Sequence, residues 1–166
     1  MKLTSYWLDT AAPFSAGAEG PPQGDADVAI VGAGFTGLSA ALALAKKGAK
    51  VVVLEADLVA GAASGRNGGM CNNGFAQDYY ALSTKLGRER ANMIYRAFDA
   101  GVAKVESIIA EERIDCDFKR VGKLKLAAKP EHYEKHVRSQ ALLAEEVDPE
   151  PRMVPPATPR AETGPD

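Results

Sequence analysis

The stretch Asp27-Val28-Ala29-Ile30-Val31-Gly32-Ala33-Gly34-Phe35-Thr36-Gly37-Leu38, continuing to Glu55, decides the fold. Asp27 to Val31 is short, apolar and rich in β-branched residues, the texture of a buried parallel strand. Gly32, Gly34 and Gly37 then form G-x-G-x-x-G. In that pattern the first glycine permits a sharp turn off the strand. The second lets a pyrophosphate approach the main chain, and the third lets the following helix pack tightly on the strand. The N-terminus of that helix offers free N–H groups and partial positive charge to phosphates, which brings Phe35 and Thr36 into the candidate site.

The flanks agree with this reading. Thr36 to Lys47 is rich in Ala and Leu, with Leu38, Ala41, Leu42 and Ala45 at helical spacing. Lys46 and Lys47 fall in its last turn, and Gly48 is the stop. Lys50 to Leu54 predicts a second strand ending at Glu55, followed by Ala56. A carboxylate about twenty residues past the glycines can accept hydrogen bonds from ribose hydroxyls, and its charge disfavours a 2′-phosphate. The blander alternative is a strand–helix–strand unit whose glycines serve only turns.

A second glycine-dense stretch follows, Gly61-Ala62-Ala63-Ser64-Gly65-Arg66-Asn67-Gly68-Gly69-Met70. Ordering so many glycines is entropically unfavourable, and a plain turn needs only one or two. The density predicts main chain laid against a flat or charged ligand. Ser64 and Asn67 can donate to phosphate or to polar ring edges, and Arg66 can offset phosphate charge or pair with a carboxylate. A flexible surface loop is the competing reading.

These motifs together resemble the FAD-dependent amine and amino-acid oxidoreductases of the D-amino-acid oxidase, glycine oxidase and sarcosine oxidase type. The residues that carry the resemblance are Ala26 to Ala41, Val53-Leu54-Glu55-Ala56 and Gly61 to Gly69. The Ser64–Gly69 element and the leader Ser5-Tyr6-Trp7 look closest to the gamma-glutamylputrescine oxidoreductase branch. The resemblance runs from about Ser5 to Val147, and the residues from Ala157 onward depart from it. It implies an α/β fold: a Rossmann-like FAD-binding βαβ unit with additional helices and the start of an antiparallel substrate-domain sheet, as an incomplete domain. By resemblance Gly32, Gly34, Gly37 and Glu55 hold the ADP half of FAD. Ser64, Arg66, Asn67, Gly68 and Gly69 would line the pyrophosphate, ribityl chain and flavin, with Met70 near the ring. The implied reaction oxidises a C–N bond of a small-molecule amine or amino acid by hydride transfer to flavin. No catalytic acid or base is nominated from this segment. Two further readings stay open: a nicotinamide-dependent dehydrogenase, and a non-catalytic flavin-binding or inactive fragment.

The chain divides into a leader (1–24), a nucleotide-binding segment (25–114), the beginning of a substrate-binding region (115–147) and a Pro-rich tail (148–166). In the leader, Ser5-Tyr6-Trp7-Leu8 is apolar enough to dock on the domain surface, with fraying as the alternative. Asp78 to Gly87 predicts a short helix stopped by glycine, and Arg88 to Arg113 a longer one. The longer helix has apolar positions from Ala91 to Ile109 recurring at three and four, and Gly101 within it as a point of close packing. Cys116 to Val121 and Lys123 to Ala127 read as paired strands about Gly122. Pro130 opens a helix running from Glu131 to Glu146. His132 and His136 share one face of it, but Tyr133-Glu134-Lys135 between them breaks the H-E-x-x-H order, so solvated histidines are expected there and no metal site. The tail predicts disorder, and its change of texture suggests a truncated product, out of frame near its end.

Composition narrows the function classes. The chain has 166 residues, a formal net charge of −2, 46% hydrophobic and 25% charged residues. That balance gives no electrostatic case for nucleic acid or an anionic membrane. Two distant cysteines, Cys71 and Cys116, form neither a disulfide framework nor a metal-ligand spacing. With no signal peptide and no transmembrane candidate, a cytoplasmic protein is the expectation. Oligomeric state is not legible in the sequence.

Overall fold

The computed structural model describes residues 3–18, 20–75 and 77–155. The chain forms two compact units, Met1–Met70 and Cys71–Asp166. This division of packing falls elsewhere than the 114/115 boundary drawn above, which was one of function.

The first unit is a strand–helix–strand motif. β1 (Val28–Val31) and β2 (Val51–Leu54) pair in parallel, with Val28 opposite Val51 and Val31 opposite Leu54. The entrance to the pair is fixed by Asp27, whose Oδ2 accepts from the Lys50 N–H at 2.7 Å while the Asp27 N–H donates to the Lys50 carbonyl at 2.9 Å. Between the strands runs α2 (Phe35–Ala45), packed on both. Its stop follows the expected logic: the Gly48 N–H donates to the Ala45 carbonyl, and Gly48 takes φ +89°. Ahead of this motif lies a short helix, α1 (Tyr6–Thr10), whose N-cap Ser5 accepts from the Leu8 N–H. The leader therefore carries structure at the residues expected to dock.

The second unit is a helical assembly. α3 (Tyr79–Leu86) is capped by Asp78, which accepts from the Ala81 N–H at 2.8 Å. Gly87, at φ +84°, ends α3 and begins α4 (Arg88–Glu112). α5 (Pro130–Glu146) opens on its proline, whose missing N–H would lack an intrahelical partner in any case. The core of this unit is Tyr79, Leu82, Ala91 and Leu143, with Ile94, Tyr95, Leu142 and Val147 packed against it. Polar side chains tie the helices together. Ser139 Oγ on α5 accepts from the Tyr79 and Tyr80 N–H groups at 3.1 and 3.4 Å. The Tyr79 hydroxyl donates to Glu146 Oε2 at 2.7 Å, and Arg88 Nε lies 3.0 Å from Glu146 Oε1, an ion pair off the hydrogen-bond line.

Two expectations are corrected here. Cys116–Val121 and Lys123–Ala127 form no strands. Asp117 takes φ +53° and Gly122 φ +79°, which break an extended run, and a lone hairpin is marginal without a third strand or a covering helix. Val121 and Leu126 are left exposed. The segment is instead pinned by Arg120 to Glu106 at 2.7 Å and by the Lys123 ammonium to the Asn73 carbonyl at 2.8 Å. Nor is Gly101 a packing point: a Cβ there would meet nothing within 4 Å. The tail splits differently. Residues 148–155 are anchored, with Tyr95 donating to Asp148 at 3.1 Å and Gln140 to the Pro151 carbonyl at 2.9 Å. The disorder expected further on falls at 156–166, outside the described residues.

Candidate functional site at the glycine turn

The site is built where β1 turns into α2. Gly32 leaves the strand at φ +96°, a conformation side-chain-bearing residues rarely adopt, and its N–H donates to the Leu54 carbonyl at 2.7 Å. Gly37 is required for space instead. A Cβ there would lie 2.0 Å from the Gly32 carbonyl oxygen and 3.3 Å from Ile30 Cγ2. The helix thus meets the backbone of the turn and the side chain of Ile30 on the strand without room for a Cβ, as the third glycine of the motif predicts.

Glu55, at the end of β2, reaches back to this turn. Its Oε2 accepts from the Ala33 N–H at 2.7 Å, and its Oε1 accepts from the Ala56 and Asp57 N–H groups at 2.9 and 3.1 Å. These bonds, the Ala33 one foremost, hold its carboxyl below the usual carboxylate range. A carboxylate offers about four lone-pair sites. Three N–H bonds leave room for one more donor at the oxygen shared with the turn.

Ser64, in a single turn of 3₁₀ helix (Ala63–Gly65), closes the other side. Its Oγ accepts from the Phe35 N–H at 3.0 Å and would lie 2.9 Å from a Cβ placed on Gly34. Phe35, Thr36 and Gly37 precede the first full helical bond of α2, from the Leu38 N–H to the Gly34 carbonyl at 2.9 Å. The Ser64 hydroxyl proton has no acceptor among the described residues. Gly34, Glu55, Ser64 and Arg66, with Asp57, Leu58, Ala60, Gly61 and Ala62, line a cavity of about 170 Å³.

The structure therefore gathers most of the expected residues at one place: Gly32, Gly34, Phe35, Thr36 and Gly37 on the turn, Glu55 and Ala56 below it, and Ser64 and Arg66 across from it. Asn67 behaves otherwise. Its amide turns into its own loop, donating to the Ser64 carbonyl at 2.6 Å and accepting from the Gly69 N–H at 2.7 Å. It shapes the loop rather than facing the cavity. Gly68, Gly69 and Met70 lie beyond the cavity lining, and the Met70 side chain is 80% exposed.

Sequence reasoning missed several contributors. Ala33 is an unassigned position of the motif, yet it is buried and clamped at both ends. Its N–H is held by Glu55, and its carbonyl accepts from the Ala60 N–H at 3.0 Å. Ala60 adopts φ +57° to make that bond. The docking of Ser5-Tyr6-Trp7-Leu8 was expected, but not its partner: Ser5 and Trp7 touch the Ser64–Gly69 loop. The chain's single tryptophan, standing in the leader, is the signal that could have exposed them.

Elsewhere, His132 and His136 are both half-buried on α5. Among the described residues no group of three or more His, Cys, Asp or Glu side chains is placed to hold a metal ion, and no helix is long and apolar enough to cross a membrane.

The glycines and the carboxylate fit a dinucleotide: a turn open to phosphates, a helix N-terminus behind it, and an acid with a spare acceptor beside it. Comparison with known proteins agrees. The chain is 41% identical to the gamma-glutamylputrescine oxidoreductase of Escherichia coli over 96 residues, covering 58% of this chain and 22% of the relative. It is likewise 41% identical over 95 residues to the probable oxidoreductase OrdL of Haemophilus influenzae, covering 57% of this chain and 22% of that protein. A probable oxidoreductase OrdL of Rhizobium meliloti is 39% identical over 100 residues, 59% of this chain and 23% of its own. The chain thus spans less than a quarter of the length of these curated relatives. No solved structure is significantly similar to it. The model of the FAD dependent oxidoreductase family matches residues 27–165, running farther into the tail than its composition suggested. The chain belongs to the FAD-dependent oxidoreductase family.

Proposed function

We propose that this chain carries the dinucleotide-binding portion of an FAD-dependent oxidoreductase acting on the C–N bond of a small amine or amino acid. The observation that carries the reading is the convergence of Glu55, Ser64 and the α2 N-terminus on the Gly32–Gly37 turn. Family membership supports FAD as the cofactor. The named activity of the Escherichia coli relative supports a small amine as the substrate class.

In this reading the residues do binding and orienting work. Glu55 accepts from ribose hydroxyls at the lone-pair site its three N–H donors leave over. The N–H groups of Thr36 and Gly37 and the Ser64 hydroxyl face the diphosphate, and Arg66 offsets its charge. Phe35 contributes its N–H, shared with Ser64. Gly34 keeps the main chain close, while Gly32 and Gly37 hold the turn against the strand. Ala56 continues the strand end that aims Glu55. Gly68, Gly69 and Met70 extend the surface toward the flavin ring, and Asn67 fixes their course. When bound, FAD supplies a two-electron acceptor for the hydride leaving the amine carbon.

The experiment is a titration of the full chain with FAD and, separately, with NAD⁺. Saturable quenching of flavin fluorescence with a bound yellow chromophore is the expected result. Binding of NAD⁺ with indifference to FAD would replace this reading with a nicotinamide-dependent one.

A further inference from the structure

Within the first unit the leader helix makes specific contacts. With its cap Ser5, it grips the glycine-dense loop at three alternate positions, Gly65, Asn67 and Gly69, across about sixty residues of sequence. Ser5 Oγ hydrogen-bonds the Gly65 carbonyl, and Trp7 Nε1 donates to the Asn67 carbonyl at 2.8 Å. The indole also closes on Gly69: a Cβ there would fall 2.1 Å from Trp7 Cζ2 and 2.7 Å from Cη2. Leu8 Cδ2 sits 3.5 Å from where a Cβ of Gly65 would be. Within the loop, Asn67 joins the Ser64 carbonyl to the Gly69 N–H, so the carbonyl that Trp7 holds belongs to the residue that staples the loop. Glycines in a loop leave it many conformations, and external contacts are what select one.

We infer that Trp7, supported by Ser5, is a positioning residue that clamps the Ser64–Gly69 segment in its ligand-ready course before any cofactor arrives. The inference rests on the reading of this segment as part of the FAD site. Gly69 is then a glycine for two reasons: its φ of +67° and the indole covering it. Trp7 touches no reacting atom. It acts through the Asn67 carbonyl, and so through the segment that presents Ser64 and Arg66. Preorganisation of this kind raises affinity by removing the ordering that binding would otherwise require.

The test uses the full chain and two readouts. In Trp7→Ala, amide hydrogen exchange should quicken about tenfold or more at Gly65, Arg66 and Gly69, whose N–H groups bond within the loop. Exchange at Gly32 and along β1 and β2 should stay unchanged. FAD affinity should fall by about tenfold, corresponding to about 1.4 kcal/mol. Trp7→Phe, which keeps a ring over Gly69 but loses the N–H donor, should fall between wild type and Trp7→Ala in both readouts. Unchanged loop exchange overturns the inference, and so does acceleration spread equally over the strands, which would mark general destabilisation. Should Trp7→Ala fail to fold, Ser5→Ala supplies the same comparison in milder form. If the wild-type chain binds no FAD, the cofactor reading fails while the exchange data still decide whether Trp7 clamps the loop.

Discussion

At the scale of single residues, Glu55 carries the most chemistry, because it is both part of the fold and part of the proposed site. Its three N–H donors favour the ionised form. A carboxyl whose folded pKa is depressed contributes stability that is fully present above its unfolded value and is lost as the pH falls through the folded one. The first unit should therefore weaken on acidification below the ordinary carboxylate range, and Glu55→Gln should flatten that part of the acid limb. Thermal midpoints followed by circular dichroism from neutral pH downward would check this; an identical acid limb in Glu55→Gln would count against it. Glu55 and the glycines were legible in the sequence because geometry dictates the residue type: a positive φ at Gly32, no room for a Cβ at Gly37, an acceptor at the end of the neighbouring strand. Ala33 and Ala60 were not, because they act through main-chain atoms that every residue possesses. That Trp7 docks was legible, but its partner was not, because Asn67 lies about sixty positions off.

At the scale of elements, the helices follow their punctuation. Asp78, Gly87 and Pro130 mark their boundaries in the sequence, and the structure uses each as cap, joint or first turn. What punctuation does not reveal is how helices are joined. Ser139 is an ordinary residue in α5, yet its hydroxyl accepts two N–H groups from the first turn of α3. Removing it leaves those groups without that acceptor in a buried place. Ser139→Ala should cost about 1–3 kcal/mol in urea unfolding. Thr84→Ala, which loses an exposed bond to the Tyr80 carbonyl, should stay within about 0.5 kcal/mol. Equal effects would mean that Ser139 does not join the two helices energetically. The failed strands at 116–127 teach the complementary lesson. Alternating apolar residues describe how a strand would pack, but they supply no neighbour for it to pair with.

For the whole molecule, the notable property is how little apolar surface is removed from water. Among the described residues the buried hydrophobics are Ala33 in the first unit and Tyr79, Leu82, Ala91 and Leu143 in the second. Val31, Phe35, Val121 and Leu126 stand open to solvent, at 86%, 65%, 84% and 71% exposure. Hydrophobic stabilisation scales with the apolar area buried, so these units should be weakly stable and adhesive. An environment-sensitive apolar dye should brighten on the native full chain without denaturant, and the slope of urea unfolding should be shallow for the chain's length. A dark dye and a steep slope would contradict this. The pairing of β1 with β2 carries a last consequence. Among the described residues each strand has a partner on one flank only, so the opposite flank presents a row of vacant donors and acceptors at strand spacing. Each such rim is a mould for a further ribbon, from a neighbouring molecule or from elsewhere along the polypeptide.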